Sequence, residues 1–209
     1  MPTTPSPFTR KPPAAPTVAQ LIRFGAREFD AAGLAYGHGT LDARDDAAAL
    51  VFHALGLDHA DAGTAYTVKP GKPQVEQVLG LFAERLRRRV PVAYLMGRMW
   101  FAGLEFEVDP RVIVPRSPFA ELIARGFAPW VDPARVLRVV DLGTGSGCIA
   151  IACALQFPQA RVDAVDLSPA ALEVAARNVQ RHGAGARVRL HLGDTFEPLG
   201  DAVYDLIVS

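Results

Sequence analysis

The chain has 209 residues with 22 basic and 22 acidic side chains and 50% hydrophobic residues, as expected for one large globular domain or two small ones. A formal net charge of zero provides no overall field toward polyanions, which argues against a general nucleic-acid coat protein. No apolar run approaches the ~20 residues of a membrane helix. Two cysteines, Cys148 and Cys153, are too few for a disulfide framework and lack metal-ligand spacing. We therefore expect a cytoplasmic protein without a metal site.

The first ninety residues are predicted to form a proline-rich leader followed by helices. Prolines interrupt residues 1–16, which predicts a disordered leader. Apolar residues then recur at helical spacing from an N-cap at Thr17 to Gly33, and further helices are predicted over about 45–57 and 74–89. Together they make a helical domain over residues 17–90. A domain of this size falls near the ~70 to 80 residue guideline for independent stability, so we expect it to dock on another domain.

Residues 91–116 change to an alternating pattern that predicts a β-hairpin linker. The strand at 104–108 has a hairpin partner beginning at Trp100, and residues 112–114 form another short strand. Ser117 then serves as an N-cap and Pro118 as the first residue of a helix that reaches about Ala128.

From residue 136 strands and helices alternate, which predicts an α/β domain over residues 117–209. Strands are expected at 136–140, 161–165, 188–192 and 204–208, with helices after the first two of them. Short connections between such elements favour a parallel, doubly wound sheet with right-handed crossovers.

A glycine-rich loop lies between the first of these strands and its helix, with the sequence Asp141-Leu142-Gly143-Thr144-Gly145-Ser146-Gly147. Glycines let the backbone turn sharply beside a ligand, and free N–H groups at a helix start can face it. The dinucleotide fingerprint requires glycine or alanine where Cys148 stands, whereas Gly-x-Gly-x-Gly is satisfied. The spacing therefore favours a nucleotide-type ligand other than NAD. A tight turn without a ligand is the alternative.

Three aspartates flank this loop in the predicted sheet. Asp166 follows the glycines by ~20 residues, the spacing at which a carboxylate reaches a ribose diol, although an Asx turn ahead of the Ser168 cap is an alternative. Asp194 follows the next strand, where an adenine edge could lie, with a solvated loop as its alternative. Asp141 could accept hydrogen bonds from loop amides or from a ligand amine, or it could cap the strand end.

This constellation resembles the S-adenosylmethionine (SAM) site of class I methyltransferases. The resemblance implies a Rossmann-like fold, SAM as cofactor, and a binding set made of the loop, the two later aspartates and the strand-end acid: Asp141, Gly143, Thr144, Gly145, Ser146, Gly147, Asp166 and Asp194.

A narrower resemblance covers about residues 90–209. Pro91-Val92-Ala93-Tyr94-Leu95-Met96-Gly97, Trp100-Phe101-x-Gly103-x-Glu105-Phe106 and Val114-Pro115-Arg116-Ser117-Pro118 followed by Glu121-Leu122 are similar to the protein-(glutamine-N(5)) methyltransferases of the HemK/Prm family. Arg116-Ser117-Pro118 is similar to the branch that methylates a glutamine of the third protein of the large ribosomal subunit. The release-factor branch usually has Arg-Pro-Asp-Thr there.

The family resemblance implies an N-terminal helical domain for the substrate, a SAM domain, and a ribosomal protein as partner. It also implies that Trp100, Phe101 and Arg116 lie near the substrate, with simple packing as the alternative for the two aromatic residues. The run Arg85-Leu86-Arg87-Arg88-Arg89 could touch ribosomal RNA, or it could be a solvated helix C-terminus, where cations suit the helix dipole.

The family's catalytic signature, Asn-Pro-Pro-Tyr, follows the fourth strand, and here Tyr204-Asp205-Leu206-Ile207-Val208-Ser209 leads toward it. No catalytic residue is therefore expected within these residues. The resemblance implies a fragment, inactive by itself, with an uncovered strand edge. Three alternative functions stay open: methylation of a release-factor glutamine, methylation of an adenine amino group in nucleic acid, and a non-catalytic SAM-binding or ribosome-assembly module.

Overall fold

The computed structural model describes residues 7–58 and 62–209, which divide into an N-terminal unit ending at Met96 and a C-terminal unit, Gly97–Ser209. The expected linker over residues 91–116 is divided between the units, and the hairpin belongs to the second. No helix within the described ranges is long and apolar enough to span a membrane.

The N-terminal unit is helical. Its helices are α1 (Val18–Ala31), α2 (Ala43–Leu55), α3 (Ala62–Ala65), α4 (Lys72–Arg88) and α5 (Val92–Met96). Thr17 caps α1 as predicted, because its hydroxyl accepts the Gln20 N–H while the Gln20 side chain accepts the Thr17 N–H. Helices α3 and α5 were not predicted, since runs of four or five residues carry no helical periodicity.

The Phe82 ring of α4 packs against α1 in the hydrophobic core of this unit. The Phe29 and Phe82 rings meet edge to face with centroids 5.3 Å apart. A Cβ at Gly25 would lie 2.6 Å from the end of the Phe82 ring, so the ring occupies space that the missing side chain of Gly25 leaves on α1.

The predicted disordered leader is corrected in part. Residues 1–6 lie outside the described residues. Residues 7–16 contain no helix or strand, as their prolines predict, but they contact α1. Phe8 packs edge-on against Phe24, and the Thr9 backbone N–H and hydroxyl both donate to the buried Glu28 carboxylate. This buried acceptor fixes the segment in place, a contact that composition could not reveal.

Two arginines of the basic run at the end of α4 are used inside the helical unit. Arg85 is buried, and its Nε donates to Asp46 Oδ2 over 2.8 Å while its Nη2 donates to the Ala35 carbonyl. Arg89 donates to the carbonyls of Ala32 and Gly33. The expectation of a solvated terminus is therefore wrong for Arg85, which is buried against Asp46. Contact of the rest of the run with RNA stays a prediction.

The C-terminal unit begins with an antiparallel hairpin, β1 (Arg98–Phe101) and β2 (Leu104–Glu107), in which Trp100 pairs with Glu105. The prediction of a strand at residues 112–114 is wrong. Val112 and Val114 are buried while Ile113 is 79% exposed, so burial alternates in this segment as it does in a strand, although the backbone there is not a strand.

Helix α6 (Phe119–Ala124) is shorter than the predicted helix, which was expected to reach about Ala128. The prediction of Ser117 as N-cap and Pro118 as first helical residue is wrong by one residue, because Pro118 takes the N-cap position. The Ser117 hydroxyl, one residue earlier, accepts the Phe119 N–H over 3.2 Å. The helix ends early because Gly126 adopts a positive φ of 60°.

A parallel sheet of β3 (Arg138–Leu142), β4 (Arg161–Asp166), β5 (Val188–Leu192) and β6 (Leu206–Val208) follows, in the spatial order β5-β4-β3-β6. Helix α7 (Cys148–Gln156) connects β3 to β4, and α8 (Pro169–Arg181) connects β4 to β5. The predicted parallel α/β sheet is confirmed. Because β3 and β4 are neighbours, the glycine loop and Asp166 emerge at the same edge.

Candidate functional site

The candidate site lies at the carboxyl ends of β3 and β4. Gly143, Gly145 and Gly147 have φ values of 72°, 54° and 78°, a left-handed conformation that favours glycine. A Cβ at Gly147 would lie 3.3 Å from the Ala175 Cβ, so the loop rests directly on α8. Added Cβ atoms at Gly143 and Gly145 would meet no described atom within 4 Å. The loop is thus packed against α8 at Gly147, and it has open space beside Gly143 and Gly145.

Most of the loop amides are used within the protein. The Gly143 and Thr144 N–H groups both donate to the Val165 carbonyl at 2.9 Å. The Gly147 N–H donates to the Thr144 carbonyl at 2.8 Å. These three loop amides are therefore not free to face a ligand, whereas the expectation concerned the N–H groups at the start of α7. The broken fingerprint at Cys148 remains the argument against a dinucleotide.

Asp166 joins the end of β4 to the loop. Its Oδ2 accepts the Gly145 N–H at 2.8 Å, and its Oδ1 accepts the Ser168 N–H at 2.9 Å. The Asx turn considered from the sequence is therefore formed, and the Ser168 hydroxyl in turn caps α8 through the Ala171 N–H. Each carboxylate oxygen retains a second acceptor position. These positions leave the half-buried Asp166 able to accept a diol.

Asp141 is 1% exposed and faces the interior of the loop. Its Oδ2 accepts the Thr144 hydroxyl at 2.6 Å and the Ala150 N–H at 3.1 Å. Burial raises the pKa of Asp141 to about 6; the two hydrogen bonds act in the opposite direction, and the nearby Asp166 carboxylate adds to the rise. The expectation that Asp141 accepts from glycine amides is corrected, because its partners are a hydroxyl and the first turn of α7.

Asp194 lies on the same rim after β5. The Gly193 N–H donates to the Asp166 carbonyl at 3.1 Å, and a Cβ at Gly193 would lie 2.9 Å from Pro198 Cδ. These contacts hold the segment after β5, which contains Gly193 and Asp194, beside Asp166. The Asp194 carboxylate is exposed and makes no hydrogen bond with the described residues, so its acceptor capacity is available.

Two large apolar side chains that the sequence reading missed flank these acids. Leu167 directly follows Asp166, and Leu192 precedes Gly193; both are exposed. Exposed leucines beside carboxylates, at the end of parallel strands, provide an apolar surface with polar groups at its margin, which is typical of a small-molecule site. Their position in the sequence, directly beside the predicted acids, could have indicated these leucines as candidate site residues.

The residues expected near the substrate have different environments. Trp100 of β1 is 61% exposed. Phe101 is 4% exposed and packs edge-to-face with Phe106, which matches the packing alternative. Arg116 is exposed in the segment between β2 and α6. Trp100 and Arg116 thus remain accessible for a substrate, whereas Phe101 belongs to the hydrophobic core.

Asn178 of α8 was also missed, although it is completely buried and bonded to the loop through the Ser146 carbonyl. An asparagine inside a predicted helix is unfavourable, because its side chain competes for backbone hydrogen bonds. The presence of an asparagine within a predicted helix could therefore have indicated that Asn178 has a specific role.

Comparison with known proteins finds similar proteins over most of the chain. Residues 127–209 match the Methyltransferase small domain. The chain is 50% identical over 195 residues to the ribosomal protein uL3 glutamine methyltransferase of Bordetella pertussis, covering 92% of the chain and 65% of the relative. Proteins of the same name in Xanthomonas campestris and Bradyrhizobium diazoefficiens are 48% and 46% identical, again over 92% of this chain and over 62% and 63% of their own lengths.

Over most of its length the chain is therefore similar to protein glutamine methyltransferases. This confirms the family resemblance of the motifs between Pro91 and Leu122, and the C-terminal unit has the Rossmann-like class I methyltransferase fold expected of it. The chain spans 62 to 65% of the length of these glutamine methyltransferase relatives. Among solved structures, Pyrococcus horikoshii TYW2 in complex with MeSAdo matches 53% of this chain and 40% of its own, at 20% identity and a TM-score of 0.42.

Proposed function

We propose that the chain is the donor-binding and substrate-recognition part of a SAM-dependent methyltransferase that modifies a glutamine side-chain amide of ribosomal protein uL3. The observation that carries this proposal is the 46 to 50% identity, over 92% of the chain, to proteins of that name. A match over 92% of the chain spans the segments that hold the glycine loop and the hairpin motifs, which supports a shared donor and a shared class of acceptor.

The residues of the site fit SAM by their chemistry. Asp166 would accept the ribose diol through its remaining acceptor positions. Asp194 would accept from the adenine edge, with the exposed Leu167 and Leu192 side chains available to the ring face. Open space above Gly143 and Gly145 leaves room for the amino-acid portion. When bound, SAM supplies an electrophilic methyl group on a sulfonium.

The protein's contribution is orientation. An amide nitrogen is a poor nucleophile, so rate must come from holding it in line and from acceptors for its hydrogens. The glycine loop suits this role because Asp166, Val165 and Thr144 fix its amides, which limits the reorganisation needed when a donor binds. Asp141, buried and bonded to Thr144, contributes to the same rigidity.

The groups that hold the glutamine amide are proposed to follow β6. Val208 pairs with Asp141, so the carboxyl end of β6 lies at the same edge of the sheet as the glycine loop. The family signature Asn-Pro-Pro-Tyr, which the resemblance places directly after this strand, would therefore enter the site beside the donor. The proposed partner is uL3, and contact with ribosomal RNA remains a prediction.

Donor binding and methyl transfer can be tested separately. Calorimetry on the 209-residue chain should show binding of S-adenosylhomocysteine and none of NAD. For transfer, a chimera in which the Bordetella pertussis relative's residues beyond the matched region follow Ser209 should be incubated with tritiated SAM. Label is expected in a glutamine of uL3, located by mass spectrometry. Preferential labelling of adenine-containing oligonucleotides would contradict the glutamine assignment, and labelling of release factor alone would contradict uL3 as substrate.

A further inference from the structure

Asn178 of α8 contacts two separate parts of the C-terminal unit. Its Nδ2 donates to the Glu107 carbonyl and to the Ser146 carbonyl, both at 2.9 Å. Its Oδ1 accepts the Glu107 N–H at 2.8 Å. The side chain is 0% exposed, and Asn178 is the only asparagine in the 209 residues.

These contacts use the donors and the acceptor of the amide. With Glu107, at the end of β2, Asn178 forms a reciprocal pair of hydrogen bonds like that between two peptide groups. Its second N–H is left for the glycine loop. A buried amide whose groups are all paired favours one arrangement strongly, because any other arrangement leaves a polar group unpaired.

The loop peptide that Asn178 contacts is held at both polar atoms. The Ser146 carbonyl accepts from Asn178, and the N–H of the same peptide, on Gly147, donates to the Thr144 carbonyl at 2.8 Å. One turn earlier on α8, Ala175 contacts the position where a Gly147 side chain would lie. Asn178 therefore fixes the orientation of the Ser146 carbonyl, and Ala175 limits how closely Gly147 approaches α8.

We propose that Asn178 is a positioning residue of the donor site: it fixes the Ser146 carbonyl and thereby keeps the glycine loop in its binding conformation, anchored to the hairpin through Glu107. This inference rests on the proposed function, since it presumes that the loop binds SAM. Asn178 acts through Ser146. Loss of its donors frees the loop, and binding must then order it again, which weakens affinity.

Substitution with a matched control tests the proposal. Asn178→Ala removes every contact, and Asn178→Asp keeps the acceptor for the Glu107 N–H while losing both donors. Val179→Ala is the control, because Val179 is the neighbouring buried residue of α8 and packs in the core. Calorimetry with S-adenosylhomocysteine should be run where circular dichroism shows each variant folded.

Both Asn178 variants should bind S-adenosylhomocysteine about 5- to 30-fold more weakly, the effect of one hydrogen bond to a loop that must be ordered. Val179→Ala should stay within about twofold of the unaltered chain despite a comparable loss of thermal stability. Near-normal affinity in folded Asn178→Asp, or an equal loss in Val179→Ala, would overturn the positioning role.

A second measurement needs no substitution and therefore does not depend on the variants folding. Because the chain contains a single asparagine, ¹⁵N-asparagine labelling gives one pair of side-chain amide signals. Saturation with S-adenosylhomocysteine should shift this pair and slow its exchange with solvent. Unchanged signals during binding that calorimetry confirms would overturn the inference alone. Failure of the unaltered chain to bind would overturn both the inference and the proposed function.

Discussion

The Gly145 N–H donates to Oδ2 of Asp166 over 2.8 Å, so the glycine loop after β3 and the acid that ends β4 form one connected unit. Asp166 also accepts the Ser168 N–H at the start of α8. A single carboxylate thus connects the loop, the strand and the next helix, in addition to the ribose contact that we propose.

Replacement of Asp166 by alanine should weaken binding of S-adenosylhomocysteine by roughly 10- to 150-fold, because a charge-assisted hydrogen bond contributes ~1.5 to 3 kcal/mol. Calorimetry measures this. Asp201→Ala, which removes an exposed acid elsewhere in the unit, serves as the control and should leave affinity unchanged. An unaltered dissociation constant in folded Asp166→Ala would restrict Asp166 to its capping role.

The buried Asp141 predicts a specific pH dependence of stability. Burial raises its folded-state pKa to about 6, above the ordinary value of 3.8, so between these values the folded state binds more protons than the unfolded state. This residue's contribution to stability is therefore greatest below pH ~4 and declines as pH rises through 6. A shift of this size corresponds to about 3 kcal/mol.

Asp141→Asn should remove that dependence, since the amide oxygen can still accept from Thr144 without a charge. Urea unfolding at pH 4 and pH 7 gives the free energy of unfolding for each protein. Relative to the unaltered chain, the variant should gain stability as pH rises from 4 to 7. An equal pH dependence in the two proteins would show that Asp141 is not titrating in this range.

The buried ion pair in the helical unit allows a sharper stability test. Arg85 and Asp46 are both buried, and the Arg85→Ala change leaves the Asp46 carboxylate without its charge partner. Loss of one partner of such a pair costs about 3 to 5 kcal/mol. Arg88→Ala is the matched control, because Arg88 pairs with Glu84 on the exposed surface, where such pairs contribute ~0 to 1 kcal/mol.

Unfolding of the helical unit in urea, followed by circular dichroism, should therefore show a large loss for Arg85→Ala and almost none for Arg88→Ala. Similar losses in the two variants would contradict the structural role of Arg85. The same comparison bears on the RNA question, since an arginine required for folding is not free to contact a phosphate.

The sequence was most informative where one periodicity or motif extended over many residues. The individual strands, the Thr17 cap and the glycine loop could be located from local pattern, because each depends on neighbours in sequence. The parallel arrangement followed from the alternation of strands and helices. The reciprocal bonding of Asn178 with Glu107 could not be predicted from local pattern, since the partners are 71 residues apart. Two further features likewise depend on tertiary contacts that no local pattern encodes. These are the burial of Glu28 beneath Thr9 and the absence of strand pairing at residues 112–114.

Substrate choice is expected to depend on the accessible segment around Arg116 rather than on the donor pocket. The glycine loop and Asp166 can recognise only the donor, so discrimination between uL3 and a release factor must use surfaces outside them. Replacing Arg116-Ser117-Pro118 with the release-factor type sequence, in the chimera described above, should change the rate or the preference between the two proteins far more than the affinity for S-adenosylhomocysteine. Tritium transfer to each purified substrate measures the rate and the preference, and calorimetry measures the affinity for the donor. A loss of donor affinity equal to the loss of rate would contradict a role for Arg116 in substrate choice.

The 209-residue chain without the added segment should bind the donor and yet give no turnover, because the amide acceptors are proposed to follow β6. Turnover by that shorter chain near the rate of the chimera would contradict the proposed position of those acceptors.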